Sequence, residues 1–90
     1  MSTSTSKVAI ITGSSRGIGA EITQRLARDG FKVVVNYVGN AGPAEDVVDR
    51  IRSGGGEAIA VQADVADAAA VAVMFDAAEK AFGGVDVLVN

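Results

Sequence analysis

The sequence contains neither cysteine nor histidine. Without cysteine the chain can form no disulfide bond and no thiolate metal site. Without histidine it also lacks the commonest metal ligand and general base, so we predict no metal site. Positive charge is scarce as well, because 8 Lys and Arg stand against 11 Asp and Glu, and no basic stretch occurs. A nucleic-acid partner is therefore not expected.

Long apolar runs are missing too, since none approaches the roughly 20 residues that cross a bilayer. Residues 1–6 are rich in Ser and Thr and have no apolar core, so they cannot act as a secretory signal. We expect them to form a disordered tail, with residues 7–90 as one domain and the cytoplasm as the default location. The remainder is half apolar with a single proline, which is typical of a packed α/β protein.

Short apolar runs alternate with segments of helical periodicity. The runs at 7–12, 32–37, 58–62 and 85–89 predict strands that are buried on both faces. Strands joined by single helices pair in parallel through right-handed crossovers. The predicted fold is therefore a three-layer αβα arrangement, a partial Rossmann-type doubly wound sheet with four strands in the order 3-2-1-4 and three helices.

Three helices are predicted from their apolar faces and end signals. The second begins with Pro43 at its first position and carries Glu45 and Asp46 in its first turn. The third is capped by Asp67. The face predicted for the first helix (17–29) consists of Ile18, Ile22, Leu26 and Ala27; for the second, of Ala44, Val47, Val48 and Ile51; for the third, of Val71, Met74, Phe75, Ala78 and Phe82.

The segment between the first strand and the first helix, Thr-Gly-Ser-Ser-Arg-Gly-Ile-Gly at 12–19, indicates phosphate binding. A helix N-terminus offers unpaired amides and a partial positive charge to an anion. Gly13 permits a sharp turn, Gly17 permits close approach of a cofactor, and Gly19 permits close packing of the helix on the sheet. The predicted cofactor-binding residues of this loop are Gly13, Ser14, Ser15, Arg16, Gly17, Ile18 and Gly19.

A merely flexible turn is the alternative, but the position between a buried strand and an amphipathic helix favours a nucleotide. A Walker loop is excluded, because Ile18 stands in place of its second glycine and the Gly-Lys-Ser/Thr ending is missing.

The end of the second strand favours NADP(H) over NAD(H). An NAD site usually places a carboxylate about 20 residues beyond the loop, where it binds the ribose 2′-hydroxyl. Residues 36–39 read Asn-Tyr-Val-Gly and contain no acid. Arg16 could pair with a 2′-phosphate through its charged fork, although a solvated loop charge is the alternative.

These features resemble the short-chain dehydrogenase/reductase family, and ketoacyl-reductase-like members most closely. Residues 12–19 match its Thr-Gly-x-x-x-Gly-x-Gly fingerprint, and the resemblance extends over 7–90. It implies that Asp64 accepts a hydrogen bond from the adenine amino group and that Val65 contacts the ring through its backbone. It also places Asn90, at the opening of an Asn-Asn-Ala-Gly motif, near the adenosine ribose.

The same resemblance implies that Asn36 and Tyr37 line the adenine side of the pocket. For Asp64 the alternative is a strand-end turn or a helix cap, and for Tyr37 an ordinary strand-end residue.

The resemblance also implies chemistry whose residues this sequence lacks. The family uses a Ser and a Tyr-x-x-x-Lys beyond the fourth strand, whereas Tyr37 is the only tyrosine here and is followed four residues later by Ala41. We therefore predict no catalytic residue and interpret the chain as the front part of a longer protein. That protein would transfer hydride between NADPH and a carbonyl or alcohol substrate. The alternatives are a stand-alone nucleotide-binding module and a fragment that self-associates through the open edge of its fourth strand.

Overall fold

The computed structural model describes residues 7–90, so the predicted tail at 1–6 lies outside the described residues. Strands and helices alternate along the chain, as predicted. Their bounds are β1 (Val8–Ile11), α1 (Gly17–Arg28), β2 (Lys32–Tyr37), α2 (Ala41–Ser53), β3 (Ala58–Gln62), α3 (Ala68–Phe82) and β4 (Val87–Val89). The bounds of β2 and β3 agree with the prediction to the residue, whereas β1 and β4 are shorter than predicted.

The four strands form one parallel sheet in the order β3-β2-β1-β4, which confirms the predicted order. Successive side chains of a strand point to opposite faces. Ala9 and Ile11 of β1 therefore pack in the cluster that α1 and α2 cover, and Ile10 packs in a second cluster with Met74 and Ala78 of α3. Two helices on one face and one on the other give the predicted three layers.

The predicted inward face of α1 is wrong at its first two positions. Ile18 is 77% exposed and Ile22 is 39% exposed, whereas Thr23 is completely buried. The Thr23 hydroxyl donates to the Gly19 carbonyl at 2.7 Å, so its polar group is satisfied inside the helix and can leave water. The residues of α1 that pack against the core are Ala20, Leu26 and Ala27.

Helix α2 begins two residues earlier than predicted. Asn40 caps it, and its Oδ1 accepts from the Gly42 amide at 2.9 Å. Pro43 is consequently the third residue of the helix, and Glu45 and Asp46 lie beyond its first turn. The predicted buried face is confirmed at all four positions.

Helix α3 begins after Asp67, whose carboxylate accepts from the amides of Ala69 and Ala70, as predicted. Its predicted face is confirmed where it meets the sheet: Met74 and Ala78 are buried, with Phe75 and Phe82 packed beside them. None of the helices between residues 7 and 90 has both the length and the apolar character to span a bilayer.

Candidate functional site

The predicted phosphate loop, residues 12–19, lies where the strand order of the sheet reverses. From β1 the chain continues through α1 to β2 on one side, while β4 pairs with the other side of β1. Ligands of open parallel sheets bind at such a switch point, outside the carboxyl ends of the strands. The Thr12 hydroxyl donates to Asn90 Oδ1 at 3.0 Å, which holds the predicted ribose-side residue beside the loop.

Three amides at the start of α1 have no acceptor within residues 7–90. They belong to Gly17, Ile18 and Gly19, and the first helical bond runs from the Ala20 amide to the Arg16 carbonyl at 3.2 Å. Arg16 occupies the N-cap position in an extended conformation, and no side chain caps the helix. Unpaired donors at a helix N-terminus, together with the helix dipole, attract anions.

The sequence predicts that Gly19 lets α1 pack closely on the sheet, but in the structure the close contact at Gly19 is with the loop. A Cβ at this position would lie 2.7 Å from the Gly13 carbonyl oxygen and 3.0 Å from the Ser14 Cα. Both are backbone atoms, so only glycine permits this contact. The absence of a side chain at Gly19 therefore fixes how closely the helix N-terminus sits on the turn that leaves β1.

Gly17 meets a different requirement, because its φ is +58° and a Cβ there would project into open space. L-residues with a side chain seldom adopt this conformation. The open space in front of Gly17 adjoins the unpaired amides, so an approaching group meets bare backbone.

The amides at the beginning of the loop are already occupied. The Gly13 amide donates to Asn36 Oδ1 at 3.1 Å, and the Ser14 amide donates to the Asn36 carbonyl at 3.1 Å. In return the Asn36 amide donates to Ser14 Oγ at 3.0 Å. The side chains of Ser14 and Asn36 are 0% and 1% exposed. The sequence predicts both as cofactor-binding residues, but neither side chain is accessible to a ligand in the structure. They hold the loop on the end of β2.

Arg16 is exposed, and its guanidinium makes no salt bridge or hydrogen bond to another residue of the described chain. Ser15 beside it is half-buried. The one cation of the loop is thus available to a ligand at the helix N-terminus.

The predicted adenine side lies past the ends of β2 and β3. There the Ala63 amide donates a hydrogen bond to the Tyr37 carbonyl at 2.9 Å, which joins the two strand ends. Asp64 is exposed, and its Oδ1 accepts from the Ala66 amide at 2.9 Å, so the alternative role in a strand-end turn is real. The Asp64 Oδ2 accepts no hydrogen bond from residues 7–90, so no donor among them competes with a ligand for this oxygen. Val65 is 48% exposed, whereas Tyr37 is half-buried against the α1–α2 side of the core.

These residues lie along the carboxyl edge of the sheet. A cleft of about 150 Å³ lies elsewhere, between α1 and α2, and Gln24, Arg28 and Arg50 contribute to its lining. Among residues 7–90, no three carboxylates come together in a way that could hold a metal ion. The edge can therefore offer amides, one guanidinium, one carboxylate and apolar surface, which suits a phosphorylated aromatic ligand.

Comparisons with known proteins agree with this geometry. The family model described as short chain dehydrogenase matches residues 7–90. An uncharacterized oxidoreductase of Methylorubrum extorquens is 52% identical over 84 residues, which cover 93% of this chain and 34% of that protein. The 3-oxoacyl-[acyl-carrier-protein] reductase of Staphylococcus aureus is 48% identical over 84 residues, which cover 93% of this chain and 34% of that protein.

A solved structure, a dehydrogenase/reductase from Sinorhizobium meliloti, superposes with a TM-score of 0.90 at 46% identity, over 93% of this chain and 33% of that one. The chain thus spans about a third of the length of the relatives it matches. With its glycine-rich loop at 12–19, its strand order and the match over residues 7–90, the chain belongs to the short-chain dehydrogenase family.

Proposed function

We propose that the chain is the NADP(H)-binding, N-terminal segment of a short-chain dehydrogenase/reductase. The observation that carries this proposal lies at the switch point of the sheet: within residues 7–90, the amides of Gly17, Ile18 and Gly19 have no acceptor, and the guanidinium of Arg16 beside them has no partner. The family uses a nicotinamide dinucleotide cofactor. When bound, such a cofactor supplies or accepts a hydride through its nicotinamide ring.

The residues present fit a dinucleotide. The bare backbone at Gly17 leaves room for a pyrophosphate, which the amides of Ser15 and 17–19 would hold. Asp64 and Val65 would hold the adenine, since the Asp64 Oδ2 is unengaged and Val65 is exposed. Asn90 would lie by the adenosine ribose, held in place by Thr12.

The preference for NADP(H) is supported by charge. Residues 36–39 at the end of β2 supply no carboxylate that would bind a 2′-hydroxyl and repel a 2′-phosphate. Arg16 supplies a guanidinium, whose planar fork matches a phosphate with two parallel hydrogen bonds.

Substituting Arg16→Gln should weaken NADP+ binding at least tenfold and leave NAD+ binding unchanged. A hydrogen bond to a charged group contributes about 1.5–3 kcal/mol, and about 1.4 kcal/mol corresponds to a tenfold change in affinity. Calorimetric titration of both cofactors measures the effect. Arg25→Gln is the matched control, because it removes the same charge from within α1, at an exposed residue that pairs with Asp29 and lies away from the helix N-terminus. Equal losses in the two variants would mean that Arg16 acts through net charge alone.

For the whole protein we propose hydride transfer from NADPH to a carbonyl, or in reverse from an alcohol to NADP+, with a tyrosine that donates the proton to the carbonyl oxygen or removes it from the alcohol. That tyrosine is not in this chain, because Tyr37 is half-buried at the end of β2 and has no Lys four residues on. We expect the 90-residue chain to bind NADP+ but to oxidise NADPH in the presence of carbonyl compounds no faster than a protein-free blank. The absorbance of NADPH measures the rate, and turnover near an enzyme's ordinary rate of about 10 s⁻¹ would refute the expectation.

One observation favours an alternative, self-association through the open edge of β4. Leu88 in this edge strand is 51% exposed, and unpaired edge strands tend to pair with other chains. A stand-alone nucleotide-binding module is the other alternative. A cytoplasmic location and the lack of nucleic-acid and membrane partners stay predictions from the sequence.

A further inference from the structure

Asn36 connects the ends of three neighbouring strands. Its Oδ1 accepts from the Gly13 amide at 3.1 Å, just after β1, and its Nδ2 donates to the Ala63 carbonyl at 3.0 Å, just after β3. Its own backbone pairs with Ser14 in both directions. The side chain is 1% exposed, so these contacts take place away from water.

A buried side-chain amide at position 36 lowers the stability of the fold unless its oxygen and nitrogen both have hydrogen-bond partners. The preceding residues of β2, Val33 to Val35, are all apolar and completely buried, so burial by itself would favour an apolar residue at position 36 as well. Within residues 7–90 no buried side-chain nitrogen or oxygen lacks a partner, so the Asn36 amide is fully used. Replacing it would leave a donor after β1 and an acceptor after β3 unpaired.

The two segments that Asn36 joins are the two halves of the proposed cofactor site. Gly13 begins the phosphate loop, and Ala63 directly precedes Asp64 and Val65. We propose that Asn36 is a positioning residue that fixes the spacing between the pyrophosphate-binding and adenine-binding segments without touching the cofactor. This proposal rests on the proposed function. A fixed spacing lets one ligand engage both segments without first ordering them, so it raises affinity only for a ligand long enough to reach both.

The test compares a ligand that spans both segments with one that reaches only the second. We expect Asn36→Leu, which keeps size but removes both polar atoms, to weaken NADP+ binding about tenfold or more. Adenosine, followed by NMR shifts of Asp64 and Val65, should bind the variant within about twofold of the wild type, since it needs only one segment. Asn40→Ala is the control, because it removes the cap of α2 without touching either segment and should leave both affinities unchanged.

Two results separate this proposal from the proposed function. Wild-type chain that binds no dinucleotide overturns both. Wild-type chain that binds NADP+, with Asn36→Leu binding it as tightly or losing adenosine by the same factor, overturns only the positioning role.

If Asn36→Leu does not fold, amide hydrogen exchange in the wild-type chain tests the positioning role instead. The Gly13 amide should exchange slowly with or without NADP+, because Asn36 already holds it, while the amides of Gly17 and Gly19 should slow only on binding. If the Gly13 amide exchanges freely until NADP+ is added, it is a cofactor contact and the positioning role is wrong.

Discussion

Alanine at position 19 should lower the free energy of unfolding by about 2 kcal/mol and weaken dinucleotide binding at the same time. The added Cβ would lie 2.7 Å from the Gly13 carbonyl oxygen and 3.0 Å from the Ser14 Cα, so α1 or the loop must move. Overpacking of this kind costs about 1–3 kcal/mol, and we expect the upper end because backbone atoms cannot rotate away. The better helix propensity of alanine offsets about 1 kcal/mol of that cost. Since a domain of this size has a total stability of about 5–13 kcal/mol, the loss is large.

Urea unfolding measures the stability, and Gly39→Ala is the matched control. No atom lies within 4 Å of a Cβ built at Gly39, so that variant should unfold within about 0.5 kcal/mol of the wild type. If Gly19→Ala were as stable as Gly39→Ala, the close contact between α1 and the loop would not be a constraint on the fold.

The strand order could be predicted because it follows from rules that need no side-chain detail. Single helices between apolar runs force parallel pairing with right-handed crossovers, and the runs at β2 and β3 are bounded so clearly that their ends agree to the residue. The buried face of α1 could not be predicted from hydrophobicity, because close packing of this helix requires small side chains on that face. Gly19, Thr23 and Ala27, spaced four apart, bring the helix close to the loop and core, which leaves Ile18 and Ile22 outside.

Sequence signals identify the candidate site where it depends on local backbone, but they do not reveal side-chain contacts between residues that are distant in sequence. The loop at 12–19 carries its own signal, since the glycine spacing and the following helix are contiguous in sequence. The family resemblance predicts that Asn36 lines the adenine side of the pocket, but the Asn36 side chain is 1% exposed. Its partners lie 23 residues before it and 27 residues after it, so the burial of its amide appears only in the assembled sheet. The predicted start of α2 was wrong by two residues, because Asn40 is a better N-cap than its neighbours. The helix therefore begins at Ala41, before Pro43.

The substitution Gly17→Ala should weaken NADP+ binding about 100-fold and lower the free energy of unfolding by only about 1–2 kcal/mol. The stability cost comes from the left-handed conformation of Gly17, with φ at +58°, which residues with a side chain adopt only with strain. The affinity cost has a separate origin, because the methyl group projects into the open space in front of the unpaired amides. Losing two charge-assisted hydrogen bonds removes about 3 kcal/mol or more, which corresponds to roughly 100-fold in affinity.

Gly30→Ala separates strain from binding. Gly30 also has a left-handed φ, at +98°, and open space around its Cβ, but it follows the other end of α1. Both variants should therefore lose similar stability in urea, while only Gly17→Ala should lose affinity in calorimetric titration with NADP+. Equal affinity in the two variants would show that a phosphate does not approach the helix at Gly17. Because the proposed function places the pyrophosphate at Gly17, the cofactor would then have to lie elsewhere on the sheet edge.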